Sequence, residues 1–232
     1  MLKKIPSAET RYYEMTKYMS TLIKKAPELT IEVLETPGFR KIDLAKLMPA
    51  LMDCPDEAKL TARRFVEEHC IKQRRSQESS VHNMCFYLYA KSDDSKDLLT
   101  YLKKEEINHN ANQAIHFDVT YALNVCKQME NDYKKKLEFL QEGDPYRRRL
   151  EERIIHMKKA QITLFGILNV HQKAVELALE CNDRETAKEY ADKPTDKKVS
   201  RDLWMKIAEF LFKRGQGEMS VSDALEFIRE GS

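Results

Sequence analysis

The feature that most constrains this chain is where its backbone breakers fall. Only six glycines and seven prolines occur in 232 residues. Most of them (Pro27, Pro37-Gly38, Pro55, Gly143, Pro145, Pro194 and Gly215) lie between runs of apolar residues spaced three and four apart. That spacing puts apolar side chains on one face of an α-helix. A doubly wound α/β protein needs glycine at phosphate loops, and an all-β protein needs it at hairpin turns. The chain therefore reads as all-α. It is 42% hydrophobic and 34% charged, enough apolar material for a core, which excludes wholesale disorder.

A first helix is predicted from Ser7 to Ala26, with Tyr12, Met15, Met19, Leu22 and Ile23 on one face. Lys24 and Lys25 complement the negative end of its dipole. A short helix from Glu28 to Glu35 stops at Pro37-Gly38. The next, capped by Asp43, turns Leu44, Leu47, Leu51 and Met52 inward, and Pro49 inside it predicts a kink or a restart. Cys54-Pro55-Asp56-Glu57 launches a helix from Ala58 to about Lys72. Glu78 to Ala90 is apolar on more than one face and predicts a helix sandwiched between neighbours. A short helix ends at Tyr101-Leu102-Lys103-Lys104, and Asn108-His109-Asn110 reads as a loop. A long helix then starts around Phe117 and runs towards Gln141.

Asp144-Pro145 pairs an N-cap with proline at the first helical position and opens a helix to about Ile167. Gln172 to Glu180 follows. The next helix is capped at Asn182-Asp183, with Glu185 completing a capping box, and closes at Lys193-Pro194. A stripe of Leu203, Trp204, Ile207, Ala208, Leu211 and Phe212 stops at Gly215. Ser220 and Asp223 cap a terminal helix. Short helices joined by short loops predict one α-solenoid of stacked antiparallel helical hairpins over residues 1–232, although no fixed repeat period is visible.

The chemistry of an enzyme is missing from the motifs. There is no GxSxG, P-loop, HExxH, GxGxxG or EF-hand pattern, so the chain reads as a non-enzyme without cofactor or metal. The five cysteines (Cys54, Cys70, Cys85, Cys126 and Cys181) form no CxxC and read as free core thiols in the cytosol. His69 with Cys70, and His109, have nothing nearby to complete a metal site. His82 and His116 read as hydrogen-bonded histidines at helix starts, Trp204 as core, and Tyr12, Tyr13 and Tyr18 as helix residues that bury the ring and keep the hydroxyl wet, or as a binding face. No apolar run reaches the length of a membrane-spanning helix.

Forty basic against 38 acidic side chains leave a formal charge of +2, which argues against a nucleic-acid partner. One basic patch stands out: Lys134, Lys135, Lys136, Arg147, Arg148, Arg149 and Arg153, flanking Gly143-Asp144-Pro145. Interleaved with Asp132, Glu138, Glu142, Glu151 and Glu152, it reads as a solvated hairpin, or as a surface for an acidic partner or anionic lipid headgroups. Lys72-Gln73-Arg74-Arg75 reads as a partner for a helix C-terminus.

Several stretches, in order, carry a resemblance. They are Ala26-Pro27-Glu28-Leu29-Thr30-Ile31-Glu32, Leu47-Met48-Pro49-Ala50-Leu51, Val81-His82-Asn83-Met84-Cys85-Phe86-Tyr87-Leu88-Tyr89-Ala90, Phe117 to Cys126, Gln172 to Leu179, Ala187 to Pro194 and Leu203 to Ala208. Together they resemble the clathrin-heavy-chain-repeat region of the vacuolar protein sorting-associated protein 18 family. The resemblance implies a scaffold segment of a vesicle-tethering subunit shared by the HOPS and CORVET complexes. It implies partnership with other class C vacuolar protein sorting subunits, indirect links to Rab GTPases and SNAREs, and a peripheral place on late endosome, vacuole or lysosome membranes. The family's β-propeller and RING domain have no counterpart here, so a fragment is expected. The chain departs from the family pattern between Lys127 and about Thr163, read as a charged helical insertion. The rival expectations are a clathrin-like coat leg, which would self-assemble, and an RNA-binding helical-repeat protein.

Overall fold

The computed structural model describes residues 8–36, 44–92 and 95–214. The Pro37-Gly38 stop, the Asp43 cap, the Gly215 stop and the Ser220–Asp223 capping box lie outside them, as do the side chains of Tyr12, Tyr13 and Met15. The described residues form α-helices and one π-helical segment, with no strand among them. They divide into two compact units, Met1–Leu98 with Ala114–Val125, and Leu99–Gln113 with Cys126–Ser232.

In the first unit, α1 (Ala8–Lys25) and α2 (Pro27–Glu35) meet at Ala26, with Pro27 at the first turn of α2. There its missing N–H costs no hydrogen bond. Met19 and Ile23 of α1 are buried. α3 (Leu44–Met52) runs through Pro49 without a restart. Proline deletes one hydrogen bond, and the buried Leu47, Ala50 and Leu51 around it hold the turn.

The helix expected from Ala58 to Lys72 is two elements. α4 (Asp56–Arg64) passes directly into a π-helical segment, Phe65–Gln73. The buried residues explain the change of pitch. Phe65 and Cys70 are both buried but five apart, a spacing that a wider i→i+5 turn aligns and an α-turn does not. Lys72 at its end pairs with Glu68 at 2.6 Å. α5 (Ser79–Lys91) is the centre of the unit, burying Val81, Met84, Cys85, Phe86, Leu88 and Ala90. It packs on α3, α4 and the π segment, as its all-round apolar pattern predicts. Phe86 stacks on Phe117 with ring centroids 5.6 Å apart.

α6 (Ser95–Asn110) is longer than expected, and the residues read as a loop, Asn108-His109-Asn110, are its last turn. Nothing in Lys103–Asn110 breaks a helix, and Glu106 is anchored by Tyr190 and Lys193, each 2.7 Å away. The stop comes at Asn112, in the left-handed region at φ 57°. Asp118 caps α7 (Val119–Glu138), its carboxylate accepting from the backbone N–H groups of Thr120 and Tyr121.

The second unit carries α8 (Pro145–Ile167), α9 (His171–Glu180), α10 (Arg184–Asp192) and α11 (Lys197–Arg214). α9 packs against α8, α10 and α11. Asp183, not Asn182, is the N-cap of α10, and its carboxylate accepts from the Thr186 N–H. Asn182 instead takes φ 57°, as do Asn169 and Asn112. Each follows a helix end at the position where a left-handed residue closes the last turn. Asparagine thus does in this chain what glycine does in most, which is how so few glycines suffice. Trp204 is buried in α11, its indole N–H donating to Asp192.

Candidate interaction surface

The basic patch predicted from sequence lies on the hairpin of α7 and α8. Three contacts set the pairing. Lys127 lies over the Phe165 ring, Gln161 donates to Glu130 at 2.6 Å, and Arg153 lies over the Tyr133 ring at 5.4 Å. As the α7 number rises its α8 partner falls, so the two helices are antiparallel. Glu130 and Gln161 are both buried, and a buried carboxylate requires such donors. Between them Tyr133, Leu150, Met157 and Ala160 are also buried.

The turn at the tip is held by its own hydrogen bonds. The N–H groups of Phe139 and Leu140 donate to Lys136 and Leu137, tightening the last turn of α7. Gly143 takes φ 99°, a conformation L side chains rarely adopt. Asp144 caps α8 through the Tyr146 N–H at 2.7 Å, as the Asp144-Pro145 signature predicts. The Arg147 guanidinium reaches back to the Leu140 carbonyl at 3.2 Å.

These contacts sort the seven basic residues. Lys134 is committed to Glu130 at 2.6 Å. Arg147 is committed to Glu151 and the Leu140 carbonyl, and Arg153 to the Tyr133 ring. Arg148 faces Glu152 at 3.5 Å with both side chains exposed, a pairing water largely screens. Lys135, Lys136 and Arg149 are exposed and make no ion pair among the described residues.

The residue that the sequence reading missed is Phe139, 87% exposed at the tip. The periodicity contained the signal. Ala122, Cys126, Met129 and Tyr133 mark the buried face of α7, and Phe139 falls six residues after Tyr133, off that stripe. Lys135 and Lys136 lie four and three residues before it, which brackets the ring with two cations on one side of the last turn.

Elsewhere, a cleft of about 150 Å³ lies between Leu34, Glu35, His69, Gln73 and Arg74. A groove of about 250 Å³ is lined by Lys103, Glu106, Lys159, Asp183 and Tyr190 among others. Both are below the roughly 300 Å³ at which small-molecule sites begin. No group of three or more His, Cys, Asp or Glu able to hold a metal occurs among the described residues. His69 pairs with Glu35 at 3.1 Å, while burial pushes the neighbouring Cys70 thiol up to about 12. His82 donates to the Ser76 carbonyl at 2.8 Å, and its ring lies 5.0 Å from that of His116. No described helix is long and apolar enough to cross a membrane.

A family model described as "VPS18, alpha-solenoid domain, second half" matches residues 2–140 and 149–212. It covers both helices of the hairpin except for the stretch 141–148 around the tip. Among curated proteins, the chain is similar to the vacuolar protein sorting-associated protein 18 homologue of Drosophila melanogaster, 28% identical over 92% of this chain and 18% of the relative. The homologue of Danio rerio is 26% identical over 91% of this chain and 19% of the relative. The vacuolar sorting protein 18 of Arabidopsis thaliana is 25% identical over 70% and 14%. The chain thus spans less than a fifth of the length of these relatives. No solved structure gives a significant match. The ordered helical pattern and the span of the family match agree: this chain belongs to the VPS18 alpha-solenoid family.

Proposed function

We propose that the chain is a non-enzymatic scaffold segment of a vesicle-tethering subunit, acting in traffic from endosomes to the vacuole or lysosome. The observation that carries this reading is family membership over nearly the whole chain in a protein whose described residues are helices packed on helices. Such a segment works by geometry, holding the modules at its two ends apart and offering helix surfaces to neighbours. Its partners on this reading are other class C vacuolar protein sorting subunits in HOPS and CORVET, with Rab GTPases and SNAREs engaged indirectly. Its place is peripheral, on the cytoplasmic side of late endosomal, vacuolar or lysosomal membranes.

Affinity capture of the full-length protein, followed by mass spectrometry, tests this proposal. The expected result is recovery of the other class C subunits in fixed ratio, lost when residues 8–214 are deleted. Recovery of clathrin-type lattices or of RNA in their place would overturn it.

A further inference from the structure

Three cations and a phenylalanine at the tip of the α7–α8 hairpin have no task in the fold. Phe139 is 87% exposed, against 55% for Phe212 and 44% for Tyr146. Lys135 and Lys136 bracket it on the last turn of α7. Arg149, in the first turns of α8, belongs to the same end of the hairpin, which the Arg147 bond to the Leu140 carbonyl closes. None of the three cations is paired among the described residues, and Arg148 is held only by an exposed contact to Glu152. Glu138, Gln141 and Glu142 are also exposed at this end, so the patch is not simply cationic. What distinguishes it is an aromatic ring at the apex with lysines beside it.

We infer that this tip is a peripheral membrane contact, in which Phe139 enters the headgroup boundary of an anionic bilayer while Lys135, Lys136 and Arg149 engage lipid phosphates and carboxylates. An exposed aromatic ring gains by leaving water for the interfacial region, and cations near an anionic leaflet are each worth about a fivefold gain in partition. The turn presents the ring from an ordered backbone, fixed by the Phe139 and Leu140 N–H groups and the Asp144 cap. A single ring and three cations give a weak contact, which matters when other parts of an assembly already hold the chain beside the membrane. A protein partner with an acidic, ring-accepting pocket would use the same residues. An apolar ring exposed beside cations is the combination that partitions into an anionic headgroup boundary, which favours the lipid surface. The inference goes beyond the tethering role and concerns an activity of the isolated chain.

Vesicle co-sedimentation of the chain tests it, with phosphatidylcholine vesicles against vesicles holding a third phosphatidylserine. The expected result is partition to the anionic vesicles only, reduced about tenfold in Phe139→Ala, abolished in Lys135→Glu/Lys136→Glu, and lost in high salt. Because Phe139 is exposed, the circular dichroism and melting of Phe139→Ala should match the parent, so loss of binding is not loss of fold. In Phe139→Trp, brominated lipid should quench the introduced indole, while the buried Trp204 of the parent stays unquenched. No preference for anionic vesicles, or binding indifferent to Phe139, would overturn the inference. So would protection of the introduced indole by a class C subunit while vesicles leave it unquenched. Failure here leaves the capture of class C subunits untouched, so the two readings fail separately.

Discussion

At the scale of single residues, two positions oppose a general preference to a local contact. Gly166 sits inside α8, where alanine is ordinarily better by about 1 kcal/mol. Its missing side chain is the seat of the Tyr190 ring, and an added Cβ would lie 3.0 Å from Cζ and Oη and closer still to Cε1. Tyr190 cannot swing away cheaply. Its hydroxyl donates to Glu106 at 2.7 Å and Lys193 caps its ring at 3.8 Å. Overpacking costs about 1–3 kcal/mol and therefore outweighs the propensity gain. Gly166→Ala should lower stability by about 1–2 kcal/mol, read as a fall in the urea midpoint. A rise would show that the ring moves freely.

His82 is the second such residue. Burial holds its pKa below the ordinary histidine value; the Ser76 carbonyl works the other way, and His116 adds to the lowering. The unfolded chain therefore binds the proton more readily than the folded one. The stability from keeping His82 neutral is complete above the ordinary value of 6.5 and declines as the pH falls below it. The urea midpoint should drop from pH 7.5 to 5.5, and by less in His82→Gln. Equal losses in the two proteins would place the pH dependence elsewhere. Sequence identified His82 as a hydrogen-bonded histidine at a helix start, but its carbonyl partner six residues upstream and the facing His116 come from the fold alone.

At the scale of elements, the hairpin of α7 and α8 shows what periodicity conveys and what it omits. The Asp144-Pro145 start was legible because capping is local chemistry, satisfied by the next two residues. Asp144→Ala should cost about 1 kcal/mol, visible as a lower melting temperature with unchanged helix content. The Glu130–Gln161 bond was not legible, since nothing local pairs residues 31 apart. Glu130→Ala strands the buried Gln161 amide and should cost about 1–3 kcal/mol; a cost under half that would mean the amide finds another acceptor. The same division explains the corrected elements. The asparagine-rich turn at the end of α6 reads as a loop in the sequence, and the anchoring of Glu106 by Tyr190 and Lys193 is visible only in the fold. The π segment was missed because an α-helical period does not register apolar residues five apart.

At the scale of the whole molecule, each unit is built from helices that bury one or more faces against neighbours, and most of the cysteines belong to that packing. The cysteines are the simplest test of that statement. Cys54, Cys70, Cys85 and Cys126 are buried, while Cys181 is partly exposed, and burial raises the Cys126 thiol to about 12. A thiol reagent at neutral pH should label Cys181 first and the other four only on unfolding. Rapid labelling of several thiols in the native chain would refute the packing described.

The sequence by itself determined the helical class, most helix starts, the central burial of α5 and the family, because periodicity, capping and the order of packing motifs are written in neighbouring residues. Tertiary structure alone decided which cations of the basic patch remain unpaired, that Glu130 meets Gln161, and that Gly166 is the seat of the Tyr190 ring. Those facts depend on which helix faces meet, and that choice is made by side chains far apart in the chain competing to leave water.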